Sequence, residues 1–210
     1  MLYSPRTSCG MLSLRTWFVL VLGITALVDA NVIHTRDTCE YNGSKCPVYT
    51  VLSQGEGYEH REYEPASWIG TNETVREYTR NVSRMMYFRL RNYIEHRTLG
   101  MGVPVLTERG NPNINGSTTY TKYFYLEDQN SLEHGSENGV FRYYSARMRV
   151  FVRTYGGKPT YQQKEDELMK LKASIADSSL YNHEKAYFAG FNPPWVMNNR
   201  RNEVWIESIV

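Results

Sequence analysis

The hydrophobic period of this 210-residue chain changes in the same order twice, and that order restricts the fold more than any other feature. Val48 to Leu52 and Tyr58 to Tyr63 read as strands flanking the turn-forming Gln54-Gly55-Glu56-Gly57, and Ser67 to Thr71 extends the same sheet beyond Pro65. The period then lengthens. Thr74 and Glu77 stand at capping-box spacing, and Val75, Tyr78, Val82, Met85, Met86, Leu90 and Tyr93 recur at three- and four-residue steps, which predicts a helix reaching about Arg97 with that stripe buried. Gly100 and Gly102 end it, and strands follow at Val103 to Glu108 and Thr118 to Leu126.

A polar segment, Gln129 to Asn138, divides the chain, and the plan begins again. Met148, Val150 and Val152 alternate with Arg149, Phe151 and Arg153, the pattern of a strand with one buried face. Gly156 and Gly157 turn the chain, and Pro159 suits the start of a helix. Tyr161, Leu168, Leu171 and Ile175 mark one face of that helix. Strands at Ala186 to Phe191 and Glu203 to Ile209 complete the chain. Neither half can bury a sheet face alone, so the expectation is an α+β domain built from a duplicated βαββ repeat. Its sheet is curved and mostly antiparallel, or a distorted barrel, with two packed helices.

The ends of the chain point to export. Arg6 and Arg15 precede the apolar run Trp17 to Val28, which is short for a membrane span and ends in the small-x-small pattern Val28-Asp29-Ala30. Residues 1–30 therefore read as a signal peptide cut after Ala30, or otherwise as an uncleaved anchor. Four Asn-x-Ser/Thr sites, at Asn42, Asn72, Asn81 and Asn115, lie beyond the cut as candidate glycosylation sites. The mature part keeps two cysteines, Cys39 and Cys46, expected as a disulfide pinning an extension over 31–46 ahead of a domain over 47–210. Half of a zinc site is the competing reading, but no second Cys or His pair sits at ligand spacing. The expected setting is extracellular, with no membrane insertion after cleavage.

Lys and Arg number 24 against 22 acids, a balance that lacks the electrostatic footprint of a nucleic-acid binder. No zincin, nucleophile elbow, phosphate loop or dinucleotide fingerprint occurs, and oxidation of Cys39 and Cys46 leaves no thiol nucleophile. His34, His60, His96, His134 and His183 are dispersed without a partner that would make one a base. A binder is expected rather than an enzyme. Two carboxylates on the last strand, Glu203 and Glu207, keep open a hydrolase or small-molecule binder, although their alternation with Val204 and Ile206 suits an outward polar face better.

Several runs resemble one family. Cys46-Pro47-Val48-Tyr49, the segment from Tyr58 to Trp68, Gly102-Val103-Pro104-Val105, Ala189 to Pro194 and Arg200 to Trp205 are together similar to the SOUL heme-binding protein family, in order over about residues 47–210. The resemblance implies two βαββ repeats and noncovalent binding of heme or a related tetrapyrrole. It places the ligand against the outer face of the first helix and the loop before the last strand, with basic side chains on the propionates.

On a helical wheel Arg80, Arg84, Tyr87, Phe88 and Arg91 fall opposite the buried stripe, and the loop would add Trp195 and Met197. A flat apolar ring with two carboxylates needs apolar area and cations, and Arg supplies planar stacking with bidentate hydrogen bonds. The same residues also read as a solvated Arg face with two surface aromatics. The chain departs from the family in having Asn92 near the end of the helix and Val196 in the loop where basic residues are common, and Asn81 brings a possible glycan beside Phe88. The family's proposed axial histidine position is Glu62 here, leaving His60, two residues earlier on the same strand face, as the candidate iron ligand. An extracellular protein-interaction module is a third reading, since 17 Tyr with Arg suit a binding surface.

Overall fold

A computed structural model describes residues 36–37, 39–128 and 136–210; the expected leader, its cut and residues 129–135 of the polar segment lie outside the described residues. The chain first forms short strands β1 (Arg36–Asp37), β2 (Glu40–Tyr41) and β3 (Ser44–Lys45), then β4 (Tyr49–Gly55), β5 (Tyr58–Tyr63), β6 (Ala66–Val75), α1 (Arg80–Arg97), β7 (Met101–Pro112) and β8 (Thr118–Leu126). After the polar segment come β9 (Ser136–Glu137), β10 (Val140–Ser145), β11 (Met148–Tyr155), α2 (Tyr161–Ile175), β12 (Ala186–Gly190) and β13 (Asn202–Glu207).

The duplication is visible in the pairing. All strands but β2 and β3 form one sheet in the order β1-β4-β5-β11-β13-β12-β7-β8-β6-β10-β9, and every pairing is antiparallel. Within it β6-α1-β7-β8 and β11-α2-β12-β13 take the same relative places, and β7 meets β12 at the centre. Each repeat is preceded by a strand that pairs into the other: β5 with β11, and β10 with β6.

This exchange bends the sheet. β5 and β6 are six strand positions apart, roughly 29 Å on a flat sheet at about 4.8 Å per strand. Only Glu64 and Pro65 join them, a reach of about 11 Å. Ala146 and Arg147 make the same short joint between β10 and β11. The register runs from Glu59 opposite Val152 to Tyr63 opposite Met148, then from Ala66 opposite Ser145 to Gly70 opposite Phe141, with no slip across the corner. The sheet therefore curls tightly, although it is not closed; of the two expected forms it is the curved sheet.

Curling gives the sheet an inner face and an outer one. Tyr49, Tyr63, Trp68, Tyr125, Val150 and Trp205 belong to one inner cluster. Outside, α2 covers Phe151, Phe188, Val204 and Ile206 through Leu168, Leu171 and Ile175, and α1 covers Ile69, Phe124 and Val140 through Leu90 and Ile94. The middle of β11 is thus buried on both faces, Val150 and Val152 inward and Phe151 under α2, where alternation had suggested one buried face.

The first helix starts later than its capping-box spacing implied. Thr74 and Val75 continue β6, opposite Thr119 and Thr118, because pairing with β8 satisfies their backbone. Thr79 is the N-cap, its hydroxyl accepting from the Val82 amide at 3.3 Å. A true capping box opens α2 instead, between Thr160 and Gln163. Of the expected stripe Met86 and Leu90 are buried and Ile94 joins them, while Met85 is 45% exposed.

Cys39 and Cys46 are bonded, closing the β2–β3 hairpin, whose turn residues Asn42 and Gly43 both take positive φ. Cys46 and Tyr41 pack on the inner cluster. Gly102 lies in β7 rather than in a helix stop, and a Cβ there would stand 2.3 Å from the Lys45 carbonyl oxygen, so glycine allows the hairpin to dock. Leu90→Ala is expected to cost about 2–5 kcal/mol in urea unfolding, and Met85→Ala less than about 0.5 kcal/mol; equal losses would show that the buried stripe is misplaced.

Candidate functional site

Packing decides which residues of α1 are free to meet a ligand. Tyr87, expected on the outer face, is half-buried, its ring 5.1 Å from Phe124. Phe88 is 46% exposed, with the Arg84 guanidinium over its ring at 5.4 Å. Among the described residues Arg84 has no carboxylate partner, whereas Arg91 is tied to Glu95 at 2.5 Å. That hydrogen-bonded ion pair raises the pKa of Arg91. Met85, missed as an outer residue, joins Phe88 as exposed apolar surface; the four-residue spacing of Met86, Leu90 and Ile94 was the sequence signal that would have set it outside the buried stripe. Arg89 turns inward to Glu73 and Thr71.

The loop between β12 and β13 is ordered from beneath. Arg200 donates to the carbonyls of Pro193, Val196 and Asn192, a set that fixes the loop while leaving Trp195 77% and Met197 63% exposed. The four glycosylation-site asparagines, Asn42, Asn72, Asn81 and Asn115, are exposed.

His60 is not brought to this surface. It lies on β5, stacked on Phe151 at 4.5 Å in the α2 half, whereas α1 packs on β6, β8 and β10. Its Nε2 is buried without a hydrogen bond, and burial with the nearby Arg149 charge lowers its pKa, against a smaller opposing effect of Glu62. A half-buried neutral ring against Phe151 is the state that this environment favours.

Glu203 and Glu207 contradict the outward polar face. They share the inner side of β13 with Trp205, and Val204 and Ile206 lie under α2, so both faces of the strand are covered. Glu203 is fully buried. Its Oε1 accepts from Arg61 at 3.1 Å and Arg201 at 2.6 Å, and its Oε2 from the Trp205 indole at 2.7 Å. Arg61 also donates to Glu59 at 2.7 Å and the Tyr63 hydroxyl at 3.0 Å, and lies over the Tyr49 ring at 4.5 Å. Burial works against the Arg61 charge, but the surrounding tyrosines and carboxylates outweigh it and raise its pKa. Arg201 covers Phe191 at 4.4 Å, and Tyr41 of the disulfide hairpin donates to Asn192 alongside.

With both oxygens engaged, Glu203 offers no free base. Glu207 is likewise held, accepting from Tyr187 at 2.7 Å and from Asn182 at 3.2 Å, and pairing with Lys185 at 3.0 Å. Among the described residues no group of three or more His, Cys, Asp or Glu is placed to hold a metal, and no helix is long and apolar enough to cross a membrane.

The SOUL heme-binding protein family matches residues 44–207. The chain is 30% identical to heme-binding protein 2 of Homo sapiens over 162 residues, covering 73% of this chain and 78% of that protein. It is 28% identical to heme-binding protein 2 of Mus musculus over the same shares. Among solved structures, the EcmrR C-terminal domain superposes with a TM-score of 0.53 at 9% identity, covering 72% of this chain and 96% of that one, a likeness of fold. EcmrR in its complex with DNA gives 0.54 at 8% identity, over 72% of this chain and 56% of that one.

Glu203→Gln should leave buried Arg61 with only the partly exposed Glu59 as counter-charge and remove the carboxylate that Arg201 pairs with, at a cost of about 3–5 kcal/mol. Denaturant unfolding measures it; a loss below about 1 kcal/mol would mean that the inner ion cluster does not hold the fold.

Proposed function

The chain belongs to the SOUL heme-binding protein family, and on that premise we propose that it binds heme or a related tetrapyrrole noncovalently, outside the cell, on the outer face of α1. The observation that carries the location is the pairing of exposed Phe88 with Arg84, a cation that has no carboxylate partner among the described residues. Met85 widens the apolar strip, Tyr87 backs it from the core, and Trp195 and Met197 offer further apolar area on the loop.

Heme would bring a flat apolar ring with two carboxylates, and the residues fit both demands. Covering exposed Phe88 and Met85 removes apolar surface from water, and Arg84 keeps its bidentate edge for one carboxylate. Arg91 serves a second carboxylate only by sharing or leaving Glu95, so Arg84 carries the larger part of the charge recognition. His60 stands apart from this face and is left out of the site. The reading is of a binder, since the inner carboxylates are saturated by the protein's own donors.

The extracellular setting rests on the leader pattern, the exposed glycosylation asparagines and the Cys39–Cys46 bond, a combination that suits an oxidising compartment. A glycan on Asn81 would stand in the first turn of α1, so occupancy of that site bears directly on access.

Hemin titration of the purified protein should give a saturable Soret change. Arg84→Glu should weaken it by at least about tenfold, or about 1.4 kcal/mol, and Arg91→Glu by less. No saturable change, or equal affinity after Arg84→Glu, would remove the basis for this site. Expression in a secreting host should yield medium protein beginning at Asn31 whose mobility increases on enzymatic deglycosylation; retention in cells with an intact leader would refute export.

A further inference from the structure

The two helices begin next to one another, and the space between their first turns is a cleft of about 460 Å3. Equivalent positions line it: the N-caps Thr79 and Thr160, and the residues four further on, Ser83 and Lys164. Neither helix carries an acidic side chain in its first turn, so the positive ends of both dipoles face the cleft without a counter-charge.

The side chains deepen that imbalance. Lys164 is largely buried, and its ammonium group makes no hydrogen bond or ion pair with any described residue; its charged neighbours are Lys122 and Arg200, both cations. Lys122 lies on β8, buried, and among the described residues its ammonium group donates only to the Thr107 hydroxyl, at 3.0 Å. Burial pulls both lysines down to about 8. The Tyr78 hydroxyl, also on the cleft, is buried and closes no hydrogen bond within 3.5 Å, although the Ser83 and Thr107 side chains stand near enough to oppose part of the rise in pKa that burial causes; its ring stacks on Tyr120 at 4.2 Å. Arg80 and Lys158 add positive charge to the lining. A buried ammonium group and a buried hydroxyl that donate to nothing cost free energy, and one acceptor of negative charge would satisfy both.

We infer that this cleft is an oxyanion site, distinct from the outer face of α1, in which Lys164, the Tyr78 hydroxyl and the starts of α1 and α2 hold a phosphate or carboxylate group. The aromatic rings of Tyr78 and Tyr161 at its walls also admit an organic body attached to that group.

Thermal unfolding of the purified protein at constant ionic strength tests the assignment, with inorganic phosphate, benzoate or neutral benzyl alcohol added. A saturable rise in melting temperature is expected with phosphate or benzoate and not with the alcohol. Saturation by phosphate alone identifies a phosphate ligand, and by benzoate an organic carboxylate. Lys164→Met and Tyr78→Phe should each raise the half-saturating concentration by about tenfold or more, whereas Lys170→Met, at an exposed residue paired with Glu167, should leave it unchanged.

Phosphate also stabilises proteins without binding a site, and that effect would persist, unsaturated, in every variant. Lys164→Met removes a desolvated charge and should melt no lower than wild type in the absence of anion; Lys164→Gln serves if Met does not fold. No saturable rise with either anion, or an identical rise in the Lys164 variant, overturns the site. Loss of hemin binding in Lys164→Met, with Arg84 intact, overturns its separateness from the α1 face.

Discussion

The structure depends on two joints of two residues. Glu64-Pro65 and Ala146-Arg147 connect strands that a flat sheet would hold far apart, so the sheet can satisfy its hydrogen bonds only by curling. The joints face one another in an unbroken antiparallel register, and Arg147 bridges Glu62 and Glu64 across the corner. These exposed ion pairs add little stability in themselves. Covalent length sets the corner, and every inward or outward assignment follows from it, because a slip of one residue in either joint would exchange the faces of the strands beyond it.

A curled sheet has a concave side, and aromatic rings and an ion cluster pack there. Tyr63 stacks on Trp205 at 4.8 Å, Arg61 lies over Tyr49, and Glu203 gathers Arg61, Arg201 and the Trp205 indole. Burying such charges gains little net stability over an apolar core, but removing one leaves the others stranded, so the cluster specifies a single arrangement of β5 against β13. The disulfide hairpin packs on the same cluster through Cys46 and Tyr41. Arg61, Arg201, Glu203 and Trp205 therefore spend their polar groups on one another on the concave side, and the exposed pairing of Arg84 with Phe88 lies on the helix-covered outside.

Much of this was legible because burial follows period. Leu168, Leu171 and Ile175, and most strands, were marked by spacing alone, and the duplication appeared as a repeated change of period. The errors have local causes. Thr74 and Glu77 carry the spacing of a capping box, but whether a Thr caps a helix or extends a strand depends on a partner, and Thr118 and Thr119 supply one that lies more than forty residues away. Val140–Ser145 was not read as a strand because Arg142, Tyr143 and Tyr144 break the apolar alternation; its pairing with β6 sustains it. Glu203 looked outward because alternation reports two environments without naming them, and here the second is an inner ion cluster. The exposure of Arg84 and Phe88 on α1 was legible in their spacing, whereas Met85, adjacent to buried Met86, carries the same apolar signal and read as core. The cleft between the helix starts could not be read at all, since Lys122, Lys164 and Tyr78 converge only through the fold.

The duplication supplies an internal comparison for the α1 face. Aligning the helices on their caps sets Leu90 and Ile94 against Leu171 and Ile175, all buried, so both helices rest on the sheet in the same way. On the outer side the alignment sets Phe88 against Met169, each exposed, but Arg84 against Glu165. Glu165 pairs with Arg109 and serves the fold, whereas Arg84 lies over the ring of Phe88 and pairs with no carboxylate among the described residues. Packing on the sheet thus does not require a cation at this place, because the helix with equivalent packing carries an anion there. At this one position a planar dianion would meet an uncommitted cation on α1 and an anion already paired with Arg109 on α2, so the two repeats, alike in architecture, differ in the charge that such a ligand would read there.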